Sequence, residues 1–377
     1  MNILVNTHLL LKGKLDGIGW FTYETISRIT RNHPEHNFFL IFDRKPAEEF
    51  RFANNVKFII LHPQARHPFL WILRFEILVP FVLKKYKADI FLSPDGWMTH
   101  GTNIPCVQVI HDLNYMHYPE DTPFFTRKYY NILFPRYAER AKRIVTVSKY
   151  SKQDIVKTFG VSPEKIDVAY NGCNAIYTPQ TEELKQLTRK SYSQGSPYFV
   201  YVGAIIPRKN IARLFEAFEM FKNQDTKNTK LLIVGNKKWW TSTINKAYQN
   251  MKHQEDVIFL GRMDAIELNK IYAASLALTF VPYFEGFGIP ILEAFNSGTA
   301  VITSNCTSMP EVAGDAALLV DPFSIDAIAN AMVLISNDIE MRNQLIIKSK
   351  DRAKAFSWDN TAKILWQSIE KAMESVK

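Results

Sequence analysis

Cysteine is scarce in this chain: Cys106, Cys173 and Cys306 are the only three in 377 residues, and none stands at metal-ligand spacing from another. Their strand and loop settings fit reduced thiols in a core and exclude a disulfide framework or a structural zinc. Long hydrophobic runs are missing too. The longest, residues 69–83, is interrupted by Arg74, Glu76 and Pro80, which excludes a membrane-spanning helix. Met1-Asn2-Ile3-Leu4-Val5-Asn6 leads straight into strand-like sequence with no basic start, apolar segment and cleavage site, so a cytoplasmic protein is expected. No internal repeat or low-complexity tract stands out. What remains is a globular composition, 47% hydrophobic and long enough for two domains, with a net charge of +9. That charge suits a polyanionic ligand or an anionic surface without choosing among nucleotide, nucleic acid and membrane. No basic stripe interleaved with aromatics speaks for nucleic acid.

The first half alternates strand-like segments (residues 2–7, 38–42, 56–61, 89–92, 106–110, 144–147 and 165–169) with helical ones (19–30, 68–87, 123–141 and 149–158). Such alternation predicts a parallel sheet covered by helices. In residues 69–83 apolar side chains occupy most of the helix circumference, which predicts a core helix of the first domain. Its basic edge, Lys84, Lys85 and Lys87, together with Trp71 and the phenylalanines, gives the other reading, an interfacial helix in peripheral contact with an anionic membrane. A polar stretch, 179–196, has no core periodicity and reads as a linker after a first domain of residues 1–178. A second alternating series fills 197–356, so two doubly wound α/β domains are expected in tandem. Their ligands should lie at the carboxyl ends of the strands.

The richest segment is Glu285-Gly286-Phe287-Gly288-Ile289-Pro290-Ile291-Leu292-Glu293, which follows the strand-like 276–281 and precedes another strand at 300–303. Gly286 and Gly288 allow unusual dihedrals and close approach to a ligand, and Pro290 suits the first turn of a helix. A helix start there favours an anion such as phosphate. Glu285 would sit in the loop, and Glu293 about one turn into the helix, able to accept from a sugar or ribose diol. Taken alone, two glutamates around a turn are better explained by a solvated helix residue and an ordinary turn. The segment, however, resembles the donor-binding signature of retaining glycosyltransferases of the GT-B fold, family four, in which two glutamates flank Gly-Phe-Gly with seven residues between them. The match is unbroken.

That resemblance implies two Rossmann-like domains facing across a cleft, with the last helix, in 357–377, crossing back to complete the first. It implies Glu293 on the nucleotide ribose, Glu285 on the donor sugar, and Gly286, Phe287, Gly288 and Ile289 at the diphosphate. After the first strand of the second series, Arg208 and Lys209 match the family's phosphate-binding pair; two cations there can hold a diphosphate as it leaves. Asn210 beside them is expected to be a helix N-cap. His111, at the end of strand 106–110, corresponds to a histidine that touches the donor sugar, with Asp112 capping or orienting it. Gly17 and Gly19 resemble the glycine loop near the donor phosphates; the third glycine of a dinucleotide fingerprint is absent, and Trp20 stands where relatives often carry a basic residue. Asp264-Ala265-Ile266-Glu267 is a capping box, and by resemblance the base rests near Arg262 and Met263 through backbone contacts.

No Asp-x-Asp pair is present to hold a cation on the diphosphate, so no divalent metal and no cofactor are expected. The resemblance implies a retaining transfer of a hexose, mannose-type because His111-Asp112-Leu113 and the glycine loop are similar to those of mannosyltransferase-like members, from a nucleotide-diphosphate sugar to a saccharide or lipid-linked acceptor in cell-surface polysaccharide synthesis. A glycoside hydrolase would also use two carboxylates but has no need of the cationic pair. A phosphorylase would need a lysine-bound pyridoxal and a longer chain. An inactive GT-B scaffold or binding subunit is the non-enzymatic alternative.

Overall fold

The computed structural model describes residues 1–13, 15–237 and 239–374. The chain divides into two compact units, one built from residues 1–171 together with 357 onward, the other from 172–356. In the first, β1 (Asn2–Asn6), β2 (Asn37–Phe42), β3 (Val56–Ile60), β4 (Ile90–Ser93), β5 (Cys106–Ile110), β6 (Arg143–Thr146) and β7 (Ile166–Val168) form one parallel sheet in the order 3-2-1-4-5-6-7. The second holds β8 (Tyr198–Val202), β9 (Lys230–Val234), β10 (Val257–Gly261), β11 (Ala277–Phe280), β12 (Ala300–Ser304) and β13 (Leu318–Val320), in the order 10-9-8-11-12-13. Both sheets are therefore doubly wound, as expected. Their central strands are rich in apolar residues because helices cover both faces, and every residue of β4, β5, β8 and β12 is buried, the polar Ser93, Gln108, Thr303 and Ser304 included. The strand order reverses between β1 and β4 and again between β8 and β11, and each reversal opens a crevice at the carboxyl ends of the sheet.

The segment expected to be a linker is not one. Residues Glu182–Ser193 form a helix of the second unit, capped by the Thr181 hydroxyl on the Leu184 N–H. Polar bonds fix it in place: Tyr192 donates to Glu267 at 2.9 Å and Arg189 to the Ala274 carbonyl at 2.9 Å. Leu184 and Leu187 stay exposed, so the apolar periodicity that marks most core helices is absent.

The final helix, Trp358–Glu374, belongs to the first unit. Trp358 is buried and packs edge-on against Phe21, with centroids 6.4 Å apart, while Trp366 stacks on His33 at 3.7 Å. Ser368 and Lys371 bond the carboxylate of Asp167, at 2.6 and 2.9 Å.

Residues 68–87 also depart from expectation. Instead of one helix they make Pro68–Ile72, a π-turn at Leu73–Leu78 and Val79–Lys85. Pro80 has no N–H to give the preceding turn and its ring crowds the carbonyl four residues back, and a π-turn absorbs the mismatch. Only half of the segment is core. Arg74, Phe75, Val79, Val82 and Leu83 are buried, but Phe69, Ile77 and Phe81 are 67, 59 and 67% exposed. Among the described residues no helix is long and apolar enough to cross a membrane.

Candidate functional site

The crevice between β8 and β11 gathers most of the chemistry of the second unit. Beyond β8 the backbone turns at Gly203 (φ +151), which donates its N–H to the Val234 carbonyl at 2.9 Å. Opposite stands Gly235 (φ +147), where any Cβ would lie 1.9 Å from the Gly203 oxygen. Only glycine fits, so the loops after β8 and β9 touch backbone to backbone. Sequence reading missed Gly235; a glycine directly after a strand was its one available signal.

A 3-10 turn, Pro207–Lys209, then leads into the helix Ile211–Lys222. Asn210 occupies the N-cap position but does not cap. It adopts the left-handed conformation (φ 62) and donates through Nδ2 to the carbonyls of Val281, at 2.9 Å, and Pro322, at 2.7 Å. The expected capping role is thus replaced by a tie between the β8 loop and the loops after β11 and β13. This tie sets Arg208 and Lys209 against the β11 loop.

Both cations reach the same atom. Arg208 Nη1 and Lys209 Nζ each contact Oε1 of Glu285, and Arg208 also donates to the Phe284 carbonyl at 3.2 Å. Lys209 Nζ lies 4.7 Å from the centroid of the Phe280 ring. Burial pushes the Glu285 carboxyl up, but Arg208 and Lys209 outweigh it and hold the group below the usual carboxylate range. Two positive charges around one negative leave the pocket net cationic.

The loop that carries Glu285 is anchored by the Ser308 hydroxyl, which donates to the Glu285 carbonyl at 2.8 Å. Past Gly286 and Phe287, Gly288 takes the left-handed conformation (φ 92, ψ 55) and serves as N-cap of the helix Ile289–Asn296, with Pro290 in its first turn. A Cβ on Gly288 would sit 2.7 Å from Met309 Cε, whose side chain is fully buried. The positive end of this helix therefore opens beside the Arg208–Lys209 pair.

Glu293 lies further along the same helix. Tyr272 donates to its Oε2 at 2.9 Å and the Tyr177 hydroxyl binds the same carboxylate. Burial raises the Glu293 pKa, and the two tyrosines only partly offset it. The paired glutamates of the motif thus sit in opposite electrostatic settings. Neither tyrosine was visible as a site residue in the sequence, since nothing in its local context links it to Glu293.

Arg262 and Met263 stand on the loop after β10, at the edge of the sheet and two strands from β8, with Arg262 exposed and Met263 half-buried. The Gly235 N–H bonds to the Gly261 carbonyl at 2.7 Å, tying that loop to the crevice through the backbone.

In the first unit His111 follows β5. Its Nε2 donates to the Pro94 carbonyl at 2.8 Å, its ring meets Phe21 edge-on at 5.0 Å, and burial lowers its pKa. The neutral ring with the proton on Nε2 presents Nδ1 as an acceptor. Asp112 accepts from the Asn114 N–H at 3.1 Å, at the start of the following turn. Gly17 and Gly19 are not a free glycine loop. They form the first turn of the helix Gly17–Asn32, and the N–H of Gly19 is bonded to the Asp16 carboxylate at 3.2 Å. Phe21, one turn on, joins this turn to His111.

Residues 185–352 match the family described as glycosyl transferases group 1, and residues 15–175 match glycosyltransferase family 4. The chain is 28% identical over 374 residues to the O-antigen chain mannosyltransferase B of Escherichia coli, covering 93% of this chain and 94% of that protein. It is 30% identical over 274 residues to the O-antigen chain mannosyltransferase RfbU of Salmonella typhimurium, covering 72% and 70%. Among solved structures it resembles a sucrose-phosphate synthase from Thermosynechococcus elongatus (TM-score 0.81, 18% identity, 99% of each chain). It also resembles Anabaena Alr3699/HepE in complex with UDP and glucose (TM-score 0.77, 16% identity, 98% and 99% covered). These likenesses bear out the GT-B fold that the donor signature implied.

Proposed function

This chain belongs to the glycosyl transferases group 1 family, and from that membership we propose that it is a retaining hexosyltransferase acting without a divalent metal or cofactor. Its donor would be a nucleotide-diphosphate sugar, with mannose favoured because the two curated relatives above carry that sugar in their names. Its acceptor would be a saccharide or lipid-linked saccharide of a cell-surface polysaccharide. The observation that carries the reading is the convergence of Arg208 and Lys209 on one oxygen of Glu285.

In that arrangement the two cations are partnered by a carboxylate that a diphosphate would replace. When the donor binds, its phosphates take over Arg208 and Lys209, helped by the helix N-terminus at residues 286–289. Glu285 is then released to accept from hydroxyls of the sugar. As the bond from the anomeric carbon to the diphosphate oxygen breaks, negative charge gathers on the phosphates, where fixed cations stabilise it most. The acceptor oxygen bonds to the anomeric carbon from the face being vacated, and its proton passes to the departing phosphate oxygen, so no protein nucleophile is needed. Glu293 would accept from the ribose diol. In the other unit, neutral His111 has a chemical capacity of its own, an Nδ1 able to accept from a hydroxyl.

The test is transfer from α-linked nucleotide-diphosphate mannose to a saccharide acceptor in the presence of a chelator, with the product anomer read by NMR. An α-linked product at full rate is expected; a β-linked product, or loss of activity with the chelator, would overturn the reading.

A further inference from the structure

His8 is a buried titratable side chain that the transfer chemistry leaves unused. It lies two residues past β1, and Asp95 lies two residues past β4, so the pair straddles the point where the strand order of the first sheet reverses. Both side chains are only 2% exposed, and His8 Nδ1 stands 3.0 Å from Asp95 Oδ2. Other donors converge on the same carboxylate. Asn6 Nδ2 donates to both of its oxygens, at 2.8 and 2.9 Å, and the Ser93 hydroxyl donates to Oδ1 at 2.9 Å. Nearby Arg74 has no exposed surface; burial lowers its pKa, and Asp43 and Asp95 support its charge.

The tautomer of His8 follows from these contacts. An ionised carboxylate only accepts, so the Asn6 amide turns its nitrogen to Asp95 and its oxygen to His8 Nδ1, 3.2 Å away. Nδ1 therefore faces two acceptors and carries the proton. In the neutral ring Nε2 is left as a hydrogen-bond acceptor, and it has no partner among the described residues. Around the ring stand Trp97, edge-on with centroids 5.1 Å apart, and Phe75 at 5.8 Å. Packing alone does not require such a group, because apolar residues of similar volume often stabilise a core as well as buried charge does. An oriented nitrogen acceptor beside aromatic rings suits a sugar, which offers hydroxyls to the nitrogen and C–H faces to the rings.

We propose that His8 Nε2 accepts a hydrogen bond from a saccharide hydroxyl in the crevice of the first unit, with Asn6 and Asp95 as positioning residues that fix its tautomer. The ligand class rests on the transfer reading above. Acceptor saccharide and donor sugar offer the same hydroxyl chemistry, and the two arms of the experiment separate them.

The experiment is heteronuclear NMR of the full chain carrying labelled histidine nitrogens, with the His8 signals assigned by their loss in His8→Phe. Methyl α-glycosides of mannose, glucose, galactose and N-acetylglucosamine are titrated in one arm and nucleotide-diphosphate mannose in the other. Free His8 is expected as the Nδ1–H tautomer, with an unprotonated Nε2 that moves upfield on binding; a shift with a glycoside identifies the acceptor, and a shift with the nucleotide sugar alone identifies the donor. In the transfer assay His8→Phe should raise KM for the ligand that shifts about tenfold, the scale of one neutral hydrogen bond. His8→Gln, which keeps a carbonyl oxygen near the place of Nε2, should recover part of that loss. A protonated Nε2 in the free protein, an Nε2 that no ligand moves, or an unchanged KM in His8→Phe would overturn the proposal. A glycoside shift in a protein without transferase activity would support it while counting against the transfer reading, so the two fail separately.

Discussion

Arg208 is the residue whose loss bears most directly on donor recognition. Its side chain is 18% exposed, and it supplies one of the two positive charges on Glu285. Arg208→Ala should lower kcat/KM by about 10²- to 10³-fold, the scale of removing one donor aimed at developing negative charge, and should lower the melting temperature as well, because buried Glu285 loses one of its two cations. Steady-state kinetics on the purified variant check this. Glu293 gives a prediction of opposite electrostatic character. Because its pKa is raised, it becomes protonated, and loses acceptor strength toward a ribose diol, at a higher pH than an ordinary glutamate. Nucleotide affinity should therefore weaken as pH falls through that raised value. Glu285, held low by its two cations, stays ionised through the same range. The Tyr272 hydroxyl favours the charged form of Glu293, so Tyr272→Phe should move the acid limb of affinity to still higher pH and cost about 1–2 kcal/mol of stability. Calorimetric titration with nucleotide at several pH values would read the limb; an unmoved limb would remove Glu293 from the site.

At the scale of elements, the crevice depends on two loops meeting through glycine. Gly235→Ala would drive a methyl group into the Gly203 carbonyl and force a residue with a side chain to hold φ +147. A loss of at least about 2 kcal/mol is expected, together with weaker nucleotide binding as the β8 loop is pushed away. Denaturant melts and a binding titration on the same sample check both. The central strands and the helix behind Glu285 were legible in the sequence because each has a pattern that burial imposes: an unbroken apolar run in β8, the apolar start Ala300-Val301-Ile302 of β12, and glycine then proline at the opening of Ile289–Asn296. What escaped has physical reasons of its own. The helix Glu182–Ser193 is fixed by polar bonds and leaves its leucines in solvent, so hydrophobic periodicity does not mark it. The row Phe69, Leu73, Ile77 and Phe81 reads as core because apolarity all round a helix is ordinarily a sign of burial, and here half of it faces solvent. Asn210 looks like a cap by residue type and position, but its amide is spent on two carbonyls that only the tertiary fold brings near. Tyr177 and Tyr272 could not be linked to Glu293 without knowing which helices are neighbours.

For the whole molecule, the chain leaves its first unit at residue 171 and returns at 357, so the last helix finishes a core begun more than three hundred residues earlier. Trp358→Ala, at a side chain only 4% exposed, should therefore destabilise the first unit by about 3–5 kcal/mol. Nucleotide-induced stabilisation of the second unit should persist; calorimetry with and without nucleotide would resolve the two. The same division places the cationic pair, both glutamates and the helix N-terminus in one unit, and His111 with the Gly17 turn in the other.

The central claim, that Arg208, Lys209 and the two glutamates form a metal-free nucleotide-sugar pocket, is most directly tested by a thermal-shift panel. UDP, GDP, ADP and dTDP and their sugar conjugates would be compared on wild type, Arg208→Ala and Glu293→Ala, with and without a chelator. The expected result is stabilisation by one nucleotide, unchanged by the chelator and lost in both variants; stabilisation that survives in both variants, that needs a divalent ion, or that never appears would contradict the claim.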